Sequence, residues 1–255
     1  MNKDLGIIIV AGGSGTRFGK QNKLLQYIPC SIHLPKFHTK HLPQESSLIA
    51  HNKNCSAYSE CPVFICSLLN FYRLCPDHQI VLVCHSDLID EYKKLTDNFI
   101  PENEFIFTTG GVERYNSVIN GLDVLPDNVK YVAVHDAARP LANKKLLNKC
   151  LDSCKQRGSG IAAKKINDTV KRTSNDKKVI ENIDRTNLWA IETPQIFRIQ
   201  DLKSAYEKLI QSNATITDDA GAMELAGFSV FLVESPELNI KITNQSDIEY
   251  IKTFL

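Results

Sequence analysis

Short runs of β-branched and other apolar residues alternate along this chain with segments whose apolar residues recur at helical spacing. That alternation is the mark of βαβ units, and it confines the fold to a largely parallel sheet covered by helices. The strand candidates are Leu5 to Val10, Gln79 to Cys84, Glu104 to Thr108, Tyr131 to His135, Gly160 to Lys164 and Val230 to Glu234. They are nearly continuous apolar runs, as strands covered on both faces require. Helical spacing occurs at Pro62 to Leu74, Asp87 to Asn98, Glu113 to Leu125 and Asn143 to Gln156, and later at Ile199 to Ser212, Asp218 to Ala226 and Gln245 to Leu255. The 255 residues hold neither an internal repeat nor a flexible linker, so one α/β domain spanning 1–255 is expected, Rossmann-like, with helices on both faces.

Two stretches break the alternation. Pro29 to Glu60 is rich in Pro, Ser, Asn and His and weakly periodic, which reads as a long insertion. Between Asp168 and Asp184, the runs Thr169 to Thr173 and Val179 to Ile183 flank Ser174 to Lys178. That is a hairpin signal, and its polar strands are expected to project as an arm onto a second chain.

Composition closes off several classes. Lys plus Arg number 30 against 29 for Asp plus Glu, a net charge of +1, so no clustered cationic excess points to nucleic acid or an anionic membrane. No apolar run approaches the ~18 residues of a membrane span. Eight cysteines are too sparse for a disulfide scaffold, and the apolar run Ile7 to Ala11 stops at a glycine pair like a strand, not a signal core. Free thiols in a cytoplasmic protein are expected.

Gly12-Gly13-Ser14-Gly15-Thr16-Arg17-Phe18-Gly19 follows the first strand directly. Glycine allows close backbone approach, so successive amides can converge on a phosphate. The spacing is not that of a Walker A loop, and Phe18 stands where a dinucleotide fingerprint needs glycine or alanine, which disfavours a nicotinamide dehydrogenase. Arg17 and Lys23 add cations where the amides already favour an anion.

Ala11 to Arg17 followed by Lys23-Leu24-Leu25 resembles the signature of nucleotidyltransferases that join a nucleoside triphosphate to a sugar phosphate. Further segments narrow the resemblance: Gly110 to Arg114, His135 to Pro140, Asp168 to Arg172, Asp184-Arg185 through Leu188-Trp189 to Gln195, Thr215 to Asp218, and Asn239 to Thr243. In this order they resemble the 2-C-methyl-D-erythritol 4-phosphate cytidylyltransferases of the non-mevalonate isoprenoid pathway. The resemblance implies a glycosyltransferase-A-like nucleotidyltransferase fold. It also implies attack by the acceptor's phosphate on the α-phosphorus of CTP, with Mg²⁺, in a homodimer joined through the β-arm.

Such a reaction is mainly alignment and charge neutralisation. Two groups of charge about −2 brought to ~4 Å repel by about 16 kcal/mol at an effective dielectric of ~20, so several cations are required. The resemblance assigns Arg17, Lys23 and Lys241 to the phosphates. It assigns Ala11, Gly12, Gly13, Gly15, Gly110, Val112 and Ser117 to the nucleotide, with Val112 standing where the family often has an aspartate. Asp136, Arg139, Thr169, Arg185 and Thr193 are assigned to the acceptor, Arg185 reaching into the neighbouring subunit. Glu113 and Arg114 read equally as an ordinary ion pair at a helix start. Mg²⁺ is expected on substrate oxygens and water, and no protein ligand for it is named.

The insertion gathers His33, His38, His41 and His51, with Cys30, Cys55 and Cys61 in or beside it, which invites a zinc reading. The spacings form no compact ligand pair and no CxxC occurs, so a surface excursion is expected instead. Ribitol 5-phosphate is the nearest alternative acceptor. A non-catalytic nucleotide-binding protein on the same fold is the alternative of another class.

Overall fold

The computed structural model describes residues 1–12, 22–29, 60–212, 214–235 and 238–254. Leu-Gly-Ile-Ile-Ile-Val folds as β1 (Leu5–Val10), and its alternation places Ile7 and Ile9 in one core layer and Ile8 in the other. Parallel partners lie on both sides: β6 (Tyr131–Asp136), with Val10 opposite Asp136, and β4 (Ile80–Cys84), with Val10 opposite Val83. The remaining strands of the seven-stranded sheet are β5 (Ile106–Thr109), β7 (Ser159–Lys165), β10 (Trp189–Arg198) and β11 (Leu232–Glu234), in the order β11-β7-β10-β6-β1-β4-β5. β10 runs antiparallel to both its neighbours, β6 and β7, while the other pairings are parallel.

Helices cover both faces. α1 (Val63–Phe71), α2 (Ile89–Phe99), α4 (Lys144–Arg157) and α7 (Gln245–Lys252) pack on the face holding Ile7 and Ile9. α3 (Arg114–Asp123), α5 (Ile199–Ser212) and α6 (Asp219–Leu225) pack on the face holding Ile8. The α4 boundaries follow from local chemistry. The Asn143 side chain accepts from the Leu146 N–H at 2.9 Å, and Gly158, at φ 95°, ends the helix in the left-handed conformation that glycine adopts cheaply.

The expected strands and helices all form, with ends displaced by up to three residues. β10 was not anticipated as a strand, because Glu192, Thr193 and Pro194 interrupt its apolar pattern where its register against β7 shifts, between Ile191 and Gln195. Two further short strands, β2 (Tyr27–Pro29) and β3 (Glu60–Pro62), pair antiparallel with Pro29 opposite Glu60. The insertion therefore departs and returns at one paired position, while residues 30–59 lie outside the described residues. The hairpin forms as β8 (Val170–Thr173) and β9 (Val179–Ile183), mostly exposed and paired with each other between β7 and β10.

Candidate active site

The parallel ladders continue past the strand ends and draw their following loops to one edge of the sheet. The Ala11 N–H donates to the Val83 carbonyl at 2.7 Å, Gly110 N–H to Cys84 at 2.7 Å, and Ala137 N–H to Val10 at 3.1 Å. This is the carboxyl edge, where open α/β sheets bind ligands. A Cβ at Gly12 would stand 3.5 Å from Gly110 Cα, and one at Gly110 would stand 3.0 Å from Ser117 Oγ. Bare backbone from the two loops is thus in mutual contact. Ser117, buried on α3, accepts from the Gly111 N–H at 3.1 Å. Ala11, Gly12, Gly110 and Ser117 lie together at this edge, while Val112 is 98% exposed. Gly13, Gly15 and Arg17 lie outside the described residues.

Asp136, the last residue of β6, is buried among cations. Its Oδ2 lies 2.7 Å from Lys241 Nζ and 3.8 Å from Arg139 Nε, and its Oδ1 lies 3.4 Å from Arg114 Nη2. Burial acts to raise its pKa, but the attraction of Arg114, Lys241 and Arg139 overrides it and holds the carboxyl well below the usual carboxylate range. Arg139 is fixed in turn by donating from Nη1 to the Asn239 carbonyl at 2.7 Å. The loop itself is clamped by α1: Ser67 Oγ donates to the Ala137 carbonyl at 2.7 Å and Asn70 Nδ2 to the Pro140 carbonyl at 2.6 Å.

The buried His135 is neutral, its pKa pushed down to about 3 by burial. Its Nε2 faces the Arg139 carbonyl at 3.2 Å, and a carbonyl only accepts, so Nε2 carries the proton. Nδ1 then accepts from the Thr193 hydroxyl at 3.0 Å, and the same hydroxyl oxygen receives the Asp136 N–H at 3.1 Å. Thr193 lies beside Asp136, with its proton directed at His135 and its oxygen orienting the Asp136 backbone.

Segments distant in sequence are joined here: Lys23 Nζ donates to the carbonyl of Ile242, the residue beside Lys241, at 2.9 Å. The Lys241 segment is held from two sides. The Ile242 N–H donates to the Ala138 carbonyl at 2.9 Å. Asp247, capping α7, accepts from Thr243 N–H at 2.6 Å, Thr243 Oγ1 at 2.7 Å and Asn244 N–H at 2.9 Å. Thr169 and Arg185 sit exposed at the two roots of the β8–β9 arm. Among the described residues, no hydrogen bond or ion pair links either side chain to Asp136.

The family model for IspD, 2-C-methyl-D-erythritol 4-phosphate cytidylyltransferase, matches residues 50–255. The chain belongs to this family. A 2-C-methyl-D-erythritol 4-phosphate cytidylyltransferase of Prochlorococcus marinus is 40% identical over 153 residues, 60% of this chain and 69% of that protein. One of Alkaliphilus metalliredigens is 32% identical over 253 residues, 95% of this chain and 89% of that protein. Among solved structures, 4-diphosphocytidyl-2C-methyl-D-erythritol synthase of Anaerococcus prevotii superposes with a TM-score of 0.73 at 25% identity, covering 99% of this chain and 98% of that one. The family match begins after β1, the glycine-rich loop and Lys23, and the Alkaliphilus relative, which covers 95% of this chain, extends the comparison into that N-terminal part.

Within this cytidylyltransferase framework, one arginine emerges that the sequence left ambiguous. Glu113 and Arg114 do not form the ion pair entertained for them. Glu113 caps α3 in a reciprocal box with Asn116, whose side chain accepts the Glu113 N–H at 3.1 Å. Arg114 turns the other way, and its Nη1 donates to Asp219 Oδ1 at 2.7 Å while Nη2 faces Asp136. The signals available were the Gly110 to Arg114 motif and the doubled acid Asp218-Asp219, and neither names its partner.

The donor set does not fit a divalent ion held by protein groups alone. Among the described residues no group of three His, Cys, Asp or Glu side chains is placed to hold one, and both Asp136 oxygens face cations. No helix among them is long and apolar enough to cross a membrane.

Proposed function

We propose that the chain couples CTP to 2-C-methyl-D-erythritol 4-phosphate. An oxygen of the acceptor phosphate forms a bond to the α-phosphorus as the bond from that phosphorus to the β-phosphate bridge breaks, releasing pyrophosphate. The observation that carries this reading is the convergence of Lys23, Lys241 and Asp136 at the carboxyl edge beside paired glycine loops, in a member of the cytidylyltransferase family.

Arg17, Lys23 and Lys241 are read as the groups that offset the repulsion between the two anions and the charge developing at the α-phosphate. Ala11, Gly12, Gly13, Gly15, Gly110 and Ser117 form the nucleotide side, and the exposed Val112 contributes backbone. Asp136 accepts from the acceptor's hydroxyls, with Arg139 and Thr193 fixing it. Thr169 and Arg185 serve the acceptor phosphate, Arg185 from a neighbouring subunit across the β8–β9 arm. Mg²⁺ belongs with the nucleotide's phosphates and water. One unit spans 1–255, since one sheet gathers strands from Leu5 to Glu234. A cytoplasmic location follows from reading the cysteines as free thiols; all six among the described residues are unbridged and buried.

Pyrophosphate release with CTP and each of two acceptors tests the reading. Methylerythritol phosphate is expected to be turned over with kcat/KM at least tenfold above that for ribitol 5-phosphate. Equal or inverted preference overturns the acceptor assignment, and no release with either overturns the activity.

A further inference from the structure

Arg114 opens α3 three residues after Gly111 and spans two carboxylates from different parts of the chain, Asp219 at 2.7 Å and Asp136 at 3.4 Å. Asp219 is fully buried at the start of α6, and its Oδ1 also receives the Tyr206 hydroxyl at 2.5 Å. Its Oδ2 has no hydrogen-bond partner. A buried carboxylate so sparsely satisfied needs a close partner, and the Arg114 guanidinium is the cation in contact with it.

Lys241 has a conflict of duties. It contacts Asp136 at 2.7 Å, and its side chain is 41% exposed, whereas those of Arg114 and Arg139 are 29% and 11% exposed. On the proposed function, Lys241 must turn to the phosphates while Asp136 takes the acceptor's hydroxyls. Asp136 would then be a buried charge losing its nearest partner, at a high free-energy cost unless another cation stays. Arg139 is 3.8 Å away with Nη1 committed to Asn239, and its Nε, though buried, makes no hydrogen bond. Arg114 is braced from behind.

We propose that Arg114 is a positioning residue for the acceptor: clamped by Asp219 and Tyr206, it is the standing counter-ion that keeps the Asp136 carboxylate in place and frees Lys241 for the phosphates. It acts through Asp136 and not on the reacting atoms. Because it is the first residue of the helix that carries Ser117, it also ties the acceptor side to the nucleotide loop. The inference rests on the proposed function, and wild-type pyrophosphate release is the separate control for that reading.

The test compares wild type, Arg114→Gln, Arg114→Lys and Tyr206→Phe by steady-state kinetics in methylerythritol phosphate, with CTP affinity titrated directly. Arg114→Gln is expected to lower kcat/KM for the acceptor about 30-fold or more, chiefly through KM, while CTP affinity stays within twofold. Arg114→Lys is expected to recover at least fivefold. An acceptor KM within twofold of wild type, or a fall in kcat alone that tracks lost folded protein, overturns the proposal. Should Arg114→Gln not fold, Arg114→Lys and Tyr206→Phe decide it: a three- to tenfold rise in acceptor KM upholds the brace, and no change overturns it. Wild type inactive with CTP and methylerythritol phosphate would instead sink the function reading.

Discussion

His135 and Asp136 are neighbours on one strand held in opposite charge states by their surroundings. The imidazole meets one hydroxyl and one carbonyl, so burial dominates and it stays neutral; the carboxylate meets three cations and stays charged. For His135 this has a stability consequence with a definite sign. Its folded pKa of about 3 lies below the roughly 6.5 of an unfolded histidine, so between those values the unfolded chain binds a proton that the folded one refuses. Stability from this group is complete above the unfolded pKa and is lost as pH falls toward 3. Between pH 7.5 and pH 5 the loss is about 2 kcal/mol. Urea unfolding of wild type and His135→Asn at both pH values checks it: wild type is expected to lose about 2 kcal/mol more than the variant, and equal losses would refute the buried neutral histidine. His135 to Pro140 and Lys241 were legible because each lies in a local motif. The Arg114 contacts were not, because they join residues 22 and 105 positions apart.

At the scale of elements, α4 is seated on β7 without space for a single extra carbon. A Cβ at Gly160 would stand 2.0 Å from the backbone carbonyl oxygen of Cys150, and backbone cannot swing aside as a flexible side chain can. Gly160→Ala must therefore lift α4 from the sheet, at a cost of about 2–3 kcal/mol. A melting temperature lower by about 5–10 °C in scanning calorimetry is the expected outcome, and an unchanged one would mean that the helix sits further out. Period and caps made α4 readable in advance, since Asn143 and Gly158 carry their own conformational preferences. β10 resisted for the converse reason. Its interior holds Glu192, Thr193 and Gln195, and what buries them is non-local: Asn239 on Glu192, His135 on Thr193 and Asp218 on Gln195. Polar residues become strand interior when distant segments satisfy them, and no local pattern announces that.

For the whole molecule, the β8–β9 arm is the part least explained by one chain. A two-stranded hairpin is marginal by itself in water, and this one leaves Val179 57% and Ile180 63% exposed, with Ile191 beyond its root 41% exposed. On the proposed function, a second copy that covers them also brings Arg185 to a neighbouring Asp136; among the described residues of one chain, no hydrogen bond or ion pair links the two. Shared sites of this kind can be complemented between subunits. Arg185→Ala and Asp136→Asn should each form folded dimers with little turnover. Dissociated, mixed in equal amounts and reassociated, they should form heterodimers in which one site combines the intact Asp136 of one chain with the intact Arg185 of the other. Activity is then expected to return to about a quarter of wild type, because half the dimers are mixed and half their sites are whole. If Arg185 instead served the Asp136 of its own chain, every site in the mixture would lack one residue or the other. A mixture no more active than its components would put the arginine in its own subunit and leave the exposed face of the arm to another role.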